Sequence, residues 1–174
     1  MAISLYDISV ANYLQVLGST TAVLAKGAEY ASANDLDLAE IVATRLRPDM
    51  QPFRFQVVSV FHHSLGAIKG IKQRVFSPPP AMPDLDYAGL QALVADASAE
   101  LQTIPREEID ALEGKAMKFK IRDFEIPFTA ENFVLSFSLP NFYFHATTSY
   151  DILRIAGVPL GKMDFLGAMR VSKS

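Results

Sequence analysis

Three histidines, His62, His63 and His145, are the side chains of this 174-residue chain best suited to holding a ligand or moving a proton. His145 is in phase with Phe142, Ser149, Ile152 and Ala156, so a helix through that stretch turns it toward the interior. His62 and His63 flank the apolar stripe of an earlier helix on opposite sides, and one of them can turn inward. Imidazoles that face each other from neighbouring helices are the start of a metal site in a bundle core. The expected ligands are His62 and His145, with His63 the alternative to His62, and the expected ion is a divalent metal such as zinc, nickel or iron. A third ligand is harder to find. One turn beyond His145 stands Ser149, a poor ligand, and Asp151 points elsewhere; Asp7, Glu29 or a hairpin residue could complete a shell, but no spacing selects one. The competing reading makes the same imidazoles hydrogen-bonded polar groups of an ordinary core.

The elements that must position them follow from hydrophobic period. From Ser4 to Ala33 apolar residues recur every three or four positions without a proline, which predicts one long helix over 3–33, capped by Ser4 with Asp7 in its first turn. Leu38 to Leu46 makes a short piece stopped by Pro48. Pro52 opens a second long helix over 52–76, carrying Phe53, Val57, Val60, Phe61, Ser64, Ile68, Ile71 and Val75 on one stripe. The proline run from Ser77 to Pro83 reads as a stiff extended link. Asp86 caps a third helix over 86–103, and Pro105 opens a helical turn. Between Lys115 and Thr129 the period changes to two, which predicts a β-hairpin over 116–127 turning at Arg122 and Asp123. Thr129 opens the last helix, 130–156, with Pro140 inside it expected to kink it or shift its start, and Gly157 at its end. The fold class expected is all-α, a four-helix bundle with a short hairpin insert before the last helix, as one domain over 1–174.

Composition removes several functions. A net charge of −3 with no concentrated basic face argues against nucleic acid, and the loose group Lys69, Lys72 and Arg74 reads as a solvated helix face. Absence of cysteine removes disulfides, thiolate metal ligands and thiol nucleophiles, and fits a cytoplasmic protein. No 18-residue window is uninterruptedly apolar and the N-terminus lacks a basic leader, so neither a membrane span nor a secretory signal is expected. Fifty per cent hydrophobic residues with 12 Phe is more than a bundle of this size hides, which predicts a homodimer. The chain has no nucleophile elbow, no phosphate-binding glycine loop and no His-Glu-x-x-His. Gly66 and Gly70, four apart, read as points of close helix packing.

The segment PNFYFHATTSYDILRIAGVPLGK, with MAISLYDISVANYLQVL at the front, resembles an uncharacterised family of about this length within the DinB/YfiT-like superfamily of metal-binding four-helix bundles. The resemblance covers essentially the whole chain. It implies a metal held by one histidine of the second helix and a His-x-x-x-His pair of the last. His62, or its neighbour His63, matches the first position and His145 the second, while Ser149 stands at the third. The superfamily includes enzymes that use low-molecular-weight thiols. Two functions therefore stay open: a metal-dependent enzyme with a degenerate site that takes a small-molecule ligand, and a non-catalytic helical binding or scaffold module with core histidines. Either way, a small pocket between the second and last helices is expected near His145, lined by His62 or His63, Ser149 and aromatics.

Overall fold

The structure, a computed structural model, describes residues 3–79 and 84–171. Helix α1 spans Leu5–Ala33 with a single interruption at Ser9. Its start is the expected cap: the Ser4 hydroxyl accepts the Asp7 N–H while the Asp7 carboxylate takes the Ser4 N–H. By length and composition α1 could cross a membrane, at a mean hydropathy of 1.2, yet half of that window is buried against the rest of the chain. That burial is the mark of a core helix. A short helix α2, Leu38–Ala43, ends earlier than Leu46, and the chain reaches Pro52 through turns.

Helix α3 covers 53–73 in three sections: α-helical Phe53–Phe61, a π-helical turn His62–Gly66, and α-helical Ala67–Gln73. The expected continuation to residue 76 is not found. Arg74 adopts a left-handed conformation, φ 63°, and Val75–Phe76 leave the helix as strand β1. Gly70 makes this reversal possible, since a Cβ there would lie 2.9 Å from the Phe76 ring as it folds back on the helix. The outer face of α3 is tied down by Lys69 to Glu100 at 2.8 Å and Lys72 to Glu108 at 2.5 Å.

Most of the proline run, Pro80 to Pro83, lies outside the described residues. Helix α4, Tyr87–Gln102, starts at Asp86, whose carboxylate accepts the Gly89 N–H; α5, Arg106–Asp110, follows Pro105. Strands β2, Ala116–Ile121, and β3, Phe124–Thr129, form the expected antiparallel hairpin, closed by Arg122 and Asp123 with Arg122 at φ 54°. The hairpin is not alone. Strand β1 pairs with β2 in parallel, Val75 to Lys118 and Phe76 to Phe119, so the sheet has three strands in the order β1-β2-β3. A two-residue strand carries no alternating pattern, and periodicity cannot reveal it.

Helix α6 runs over 130–155 from a Thr129 cap that accepts the Asn132 N–H. It passes Pro140 without stopping, because a π-helical turn, Val134–Ser138, immediately precedes the proline. The wider turn changes the hydrogen-bond register just where the proline ring lacks an N–H and crowds the preceding turn. Gly157 at φ 95° ends α6, its N–H reaching the Arg154 carbonyl. Helix α7, Lys162–Leu166, then lies on α1, held by Lys26 to Asp164 at 2.6 Å.

The chain is thus mostly helical with one small sheet. Helix α1 packs on α4, and the first section of α3 packs on both α4 and α6. Tyr13, Leu17, Leu24, Val57, Leu90 and Phe142 are among the side chains of the continuous core. One close approach sets the α1–α4 spacing: the buried Tyr87 hydroxyl donates to the Leu24 carbonyl at 2.9 Å, beside Gly27, where a Cβ would sit 2.2 Å from the Tyr87 hydroxyl oxygen.

Candidate functional site

The π-helical turn of α3 carries both consecutive histidines and points them differently. His63 is buried, 9% exposed, while His62 is half-buried with its Nε2 2.9 Å from the Ser77 carbonyl and its ring stacked on Phe76 at 4.4 Å. The imidazole that meets α6 is therefore His63. Its ring centroid lies 5.9 Å from that of His145, with the planes 18° apart, and Phe76 and Phe137 flank it at 5.5 and 5.8 Å. The structure brings His63 and His145 together and places His62 beside the Ser77 link. Among the described residues the buried Nδ1 of His63 has no hydrogen-bond partner.

His145 sits on α6 facing α3, half-buried, and its Nδ1 is 2.8 Å from Gln56 Oε1. Gln56 is itself buried, and its Nε2 donates to the Gln51 carbonyl at 2.9 Å. That bond decides the orientation of the amide, so Oε1 must face the imidazole. A carbonyl oxygen only accepts, so His145 Nδ1 carries the proton and Nε2 carries the lone pair. Such outer contacts fix the tautomer of metal-binding and catalytic histidines alike. Phe55 and Phe144 stand edge-on to the His145 ring at 5.9 and 5.2 Å and form a partly exposed aromatic rim.

Burial sets the protonation of the cluster. It pushes His63 down to about 3, with the neighbouring His62 and His145 adding to the effect, and His145 down to about 4. His62 is lowered by burial too, against the pull of the Ser77 carbonyl. At neutral pH all three are uncharged imidazoles, donors of lone pairs rather than cations.

The other expected participants lie elsewhere. Ser149 is buried, but its hydroxyl donates to the His145 carbonyl at 2.9 Å and its side chain lines a cavity of about 10 Å³ with Ser19, Thr20, Val23, Ala146 and Phe165. That cavity faces α1 and holds at most one water. The expected pocket of His145, aromatics and Ser149 is therefore split between two sides of α6. Asp7 caps α1 and pairs with Arg106 at 2.8 Å, and Glu29 lines a surface cleft with Lys26 and Tyr30. On the hairpin, Glu125 is engaged by Lys118 and Lys120. Among the described residues no three His, Cys, Asp or Glu side chains cluster as a metal site would require.

Two participants escaped the sequence reading. Gln56 had a legible signal, a lone amide in the apolar run Phe53–Phe61, seven residues before His63 on the same helix face. Ser138 had none, because its contact with the histidine turn arises only when α6 docks on α3.

The profile of the family described as Domain of unknown function (DUF1993) matches residues 5–166. Among curated proteins none matches the chain significantly. A crystal structure of a DinB family member protein from Shewanella denitrificans is similar over 98% of this chain and 96% of that one, with a TM-score of 0.79 at 24% identity. At that identity the likeness speaks for the fold, which is DinB-like.

Proposed function

Because the chain belongs to the Domain of unknown function (DUF1993) family and has a DinB-like helical fold, we propose that it is a four-helix bundle binding a divalent metal, zinc, nickel or iron, between α3 and α6. His145 and the histidine facing it, His63, are the protein ligands, with His62 adjacent. The observation that carries this reading is a buried His63 Nδ1 without a partner among the described residues, beside a His145 whose lone pair Gln56 leaves free at Nε2. Two imidazoles bonded to one ion at about 2.0–2.1 Å hold their centroids roughly 5–6 Å apart, and the observed 5.9 Å fits. The donor set fits two coordination positions and not the three-imidazole set that the family likeness implies. A small lone-pair ligand such as water or a thiol then fills the remaining positions. When bound, the metal supplies Lewis acidity toward that ligand. The chain's own residues do the rest: Gln56 holds the His145 tautomer, and Phe55, Phe76, Phe137 and Phe144 keep the imidazoles in an apolar surround that favours their neutral form.

Elemental analysis of protein purified without a histidine tag tests this. Near-stoichiometric metal, lost in both His63→Ala and His145→Ala, is expected. A metal-free protein that takes up none of zinc, nickel or iron on titration sinks the reading. A second reading is favoured by one observation, that no third ligand stands with the pair among the described residues. In it the chain is a non-catalytic binding module whose histidines are core polar groups, and His63→Phe then raises stability without loss of any bound ion.

A further inference from the structure

Ser138 lies at the meeting point of the two π-helical turns. It ends Val134–Ser138 on α6, and its hydroxyl is 2.8 Å from the main-chain carbonyl of His63 in the turn His62–Gly66. The same hydroxyl is 2.8 Å from the Tyr13 Oη on α1. Tyr13 and Ser138 are fully buried, and burial pushes the tyrosine pKa up, so the phenol keeps its proton. The directions of both bonds are forced. The His63 carbonyl can only accept, so Ser138 donates to it; the Tyr13 hydroxyl then donates to the Ser138 lone pair.

A π-helical turn holds one residue more than an α-helical one and is uncommon unless its surroundings maintain it. The extra residue matters here because consecutive side chains on a helix point about 100° apart. With two histidines in succession, one step of register decides which of them faces α6. We infer that Ser138, anchored by Tyr13, is a positioning residue that holds the π-helical turn at His62–Gly66 through the His63 carbonyl and so keeps His63, rather than His62, against His145. The pattern fits a latch: Tyr13 of α1 and the His63 carbonyl of α3 both meet the Ser138 hydroxyl of α6, and that carbonyl belongs to the residue whose side chain makes the pair. The consequence for chemistry rests on the reading of His63 and His145 as the working pair, but the positioning does not.

The test is the proton NMR cross-peak between the His63 and His145 rings in metal-free protein. A buried carbonyl that loses its donor shifts a local equilibrium by about tenfold, so Ser138→Ala is expected to raise the ratio of a His62–α6 cross-peak to the His63–His145 cross-peak by about tenfold. Tyr13→Phe, which leaves the Ser138 hydroxyl able to donate, is expected to keep the ratio. A merely structural role lowers the melting temperature of both variants alike and leaves the ring contact in place. A folded Ser138→Ala with the ratio unchanged overturns the inference. If Ser138→Ala does not fold, Ser138→Cys, which keeps the volume with a weaker donor, decides by the same ratio: a rise supports the inference and no change overturns it. Zinc titration of the wild type separates this from the functional reading. A raised ratio in Ser138→Ala with no zinc bound by the wild type leaves the latch standing and removes the metal; the reverse pair of results does the opposite.

Discussion

Gln56 is the residue on which the chemistry of His145 turns. It is tied by its amide nitrogen to the Gln51 carbonyl, and its oxygen has no choice but to accept from Nδ1. Gln56→Leu removes that acceptor while nearly keeping the volume. The expected cost is about 1–3 kcal/mol of unfolding free energy, read by urea denaturation, because a buried N–H is left without a partner. The nitrogen NMR shifts of His145 should change together with it, from a single Nδ1–H tautomer to a mixture. A second prediction concerns acid. In the unfolded chain each imidazole binds its proton near 6.5, whereas in the fold His63 does so only at about 3 and His145 at about 4. Between those values the unfolded state holds more protons, so stability is fully present above pH 6.5 and is lost as pH falls toward 4. The metal-free protein should lose up to about 1.4 kcal/mol per pH unit for each such imidazole. Urea midpoints at pH 7.5 and pH 5 measure this, and His63→Phe should flatten the slope. Equal midpoints for the wild type would mean that the imidazoles are hydrated.

At the scale of elements, the α1–α4 contact and the reversal after α3 both depend on missing Cβ atoms. Gly27 lets the Tyr87 hydroxyl reach the Leu24 carbonyl, and a methyl group there meets the Tyr87 hydroxyl oxygen at 2.2 Å. Gly27→Ala must either push α4 away or break the buried hydrogen bond, and overpacking of this kind costs about 1–3 kcal/mol. Thermal or urea unfolding of the variant checks it; an unchanged midpoint would show that Tyr87 moves aside freely. The two π-helical turns belong to this scale too. One absorbs Pro140 and the other orients the histidines, and Ser138 and His63 join them. A helix interruption that looks like a flaw in α6 is thus continuous with the device that shapes the site.

For the whole molecule, the exposed apolar side chains bear on assembly. Phe144 and Ile155 are 55% and 73% exposed on α6, eleven residues apart and therefore on one side of it, with Tyr143 adjoining. A chain that leaves such side chains in water gains by covering them. Light scattering at micromolar concentration should give a dimer of about 38 kDa, twice the 19.1 kDa chain. Phe144→Glu with Ile155→Glu should shift it to the monomer, and a wild-type monomer at that concentration would remove the homodimer from consideration.

Residue order alone determined where most helices begin, because those signals are local, while α2 and α3 stop at Ala43 and Gln73, short of the expected Leu46 and residue 76. Ser4, Asp86 and Thr129 cap their helices, Arg122 and Asp123 turn the hairpin, and Gly157 stops α6, each through bonds to atoms a few positions away. The same local logic placed three imidazoles on the faces of two helices that pack together. What it left open was decided by contacts distant in the chain. Strand β1 exists because Phe76 folds back over Gly70 and meets Phe119. His63 rather than His62 faces His145 because a π-helical turn shifts the register, and Ser149 turns its hydroxyl to its own helix while its side chain looks toward α1. A helical period resolves a side chain's direction to about one face. Choosing between two adjacent histidines takes the tertiary packing that selects one register of the turn and buries one of the rings.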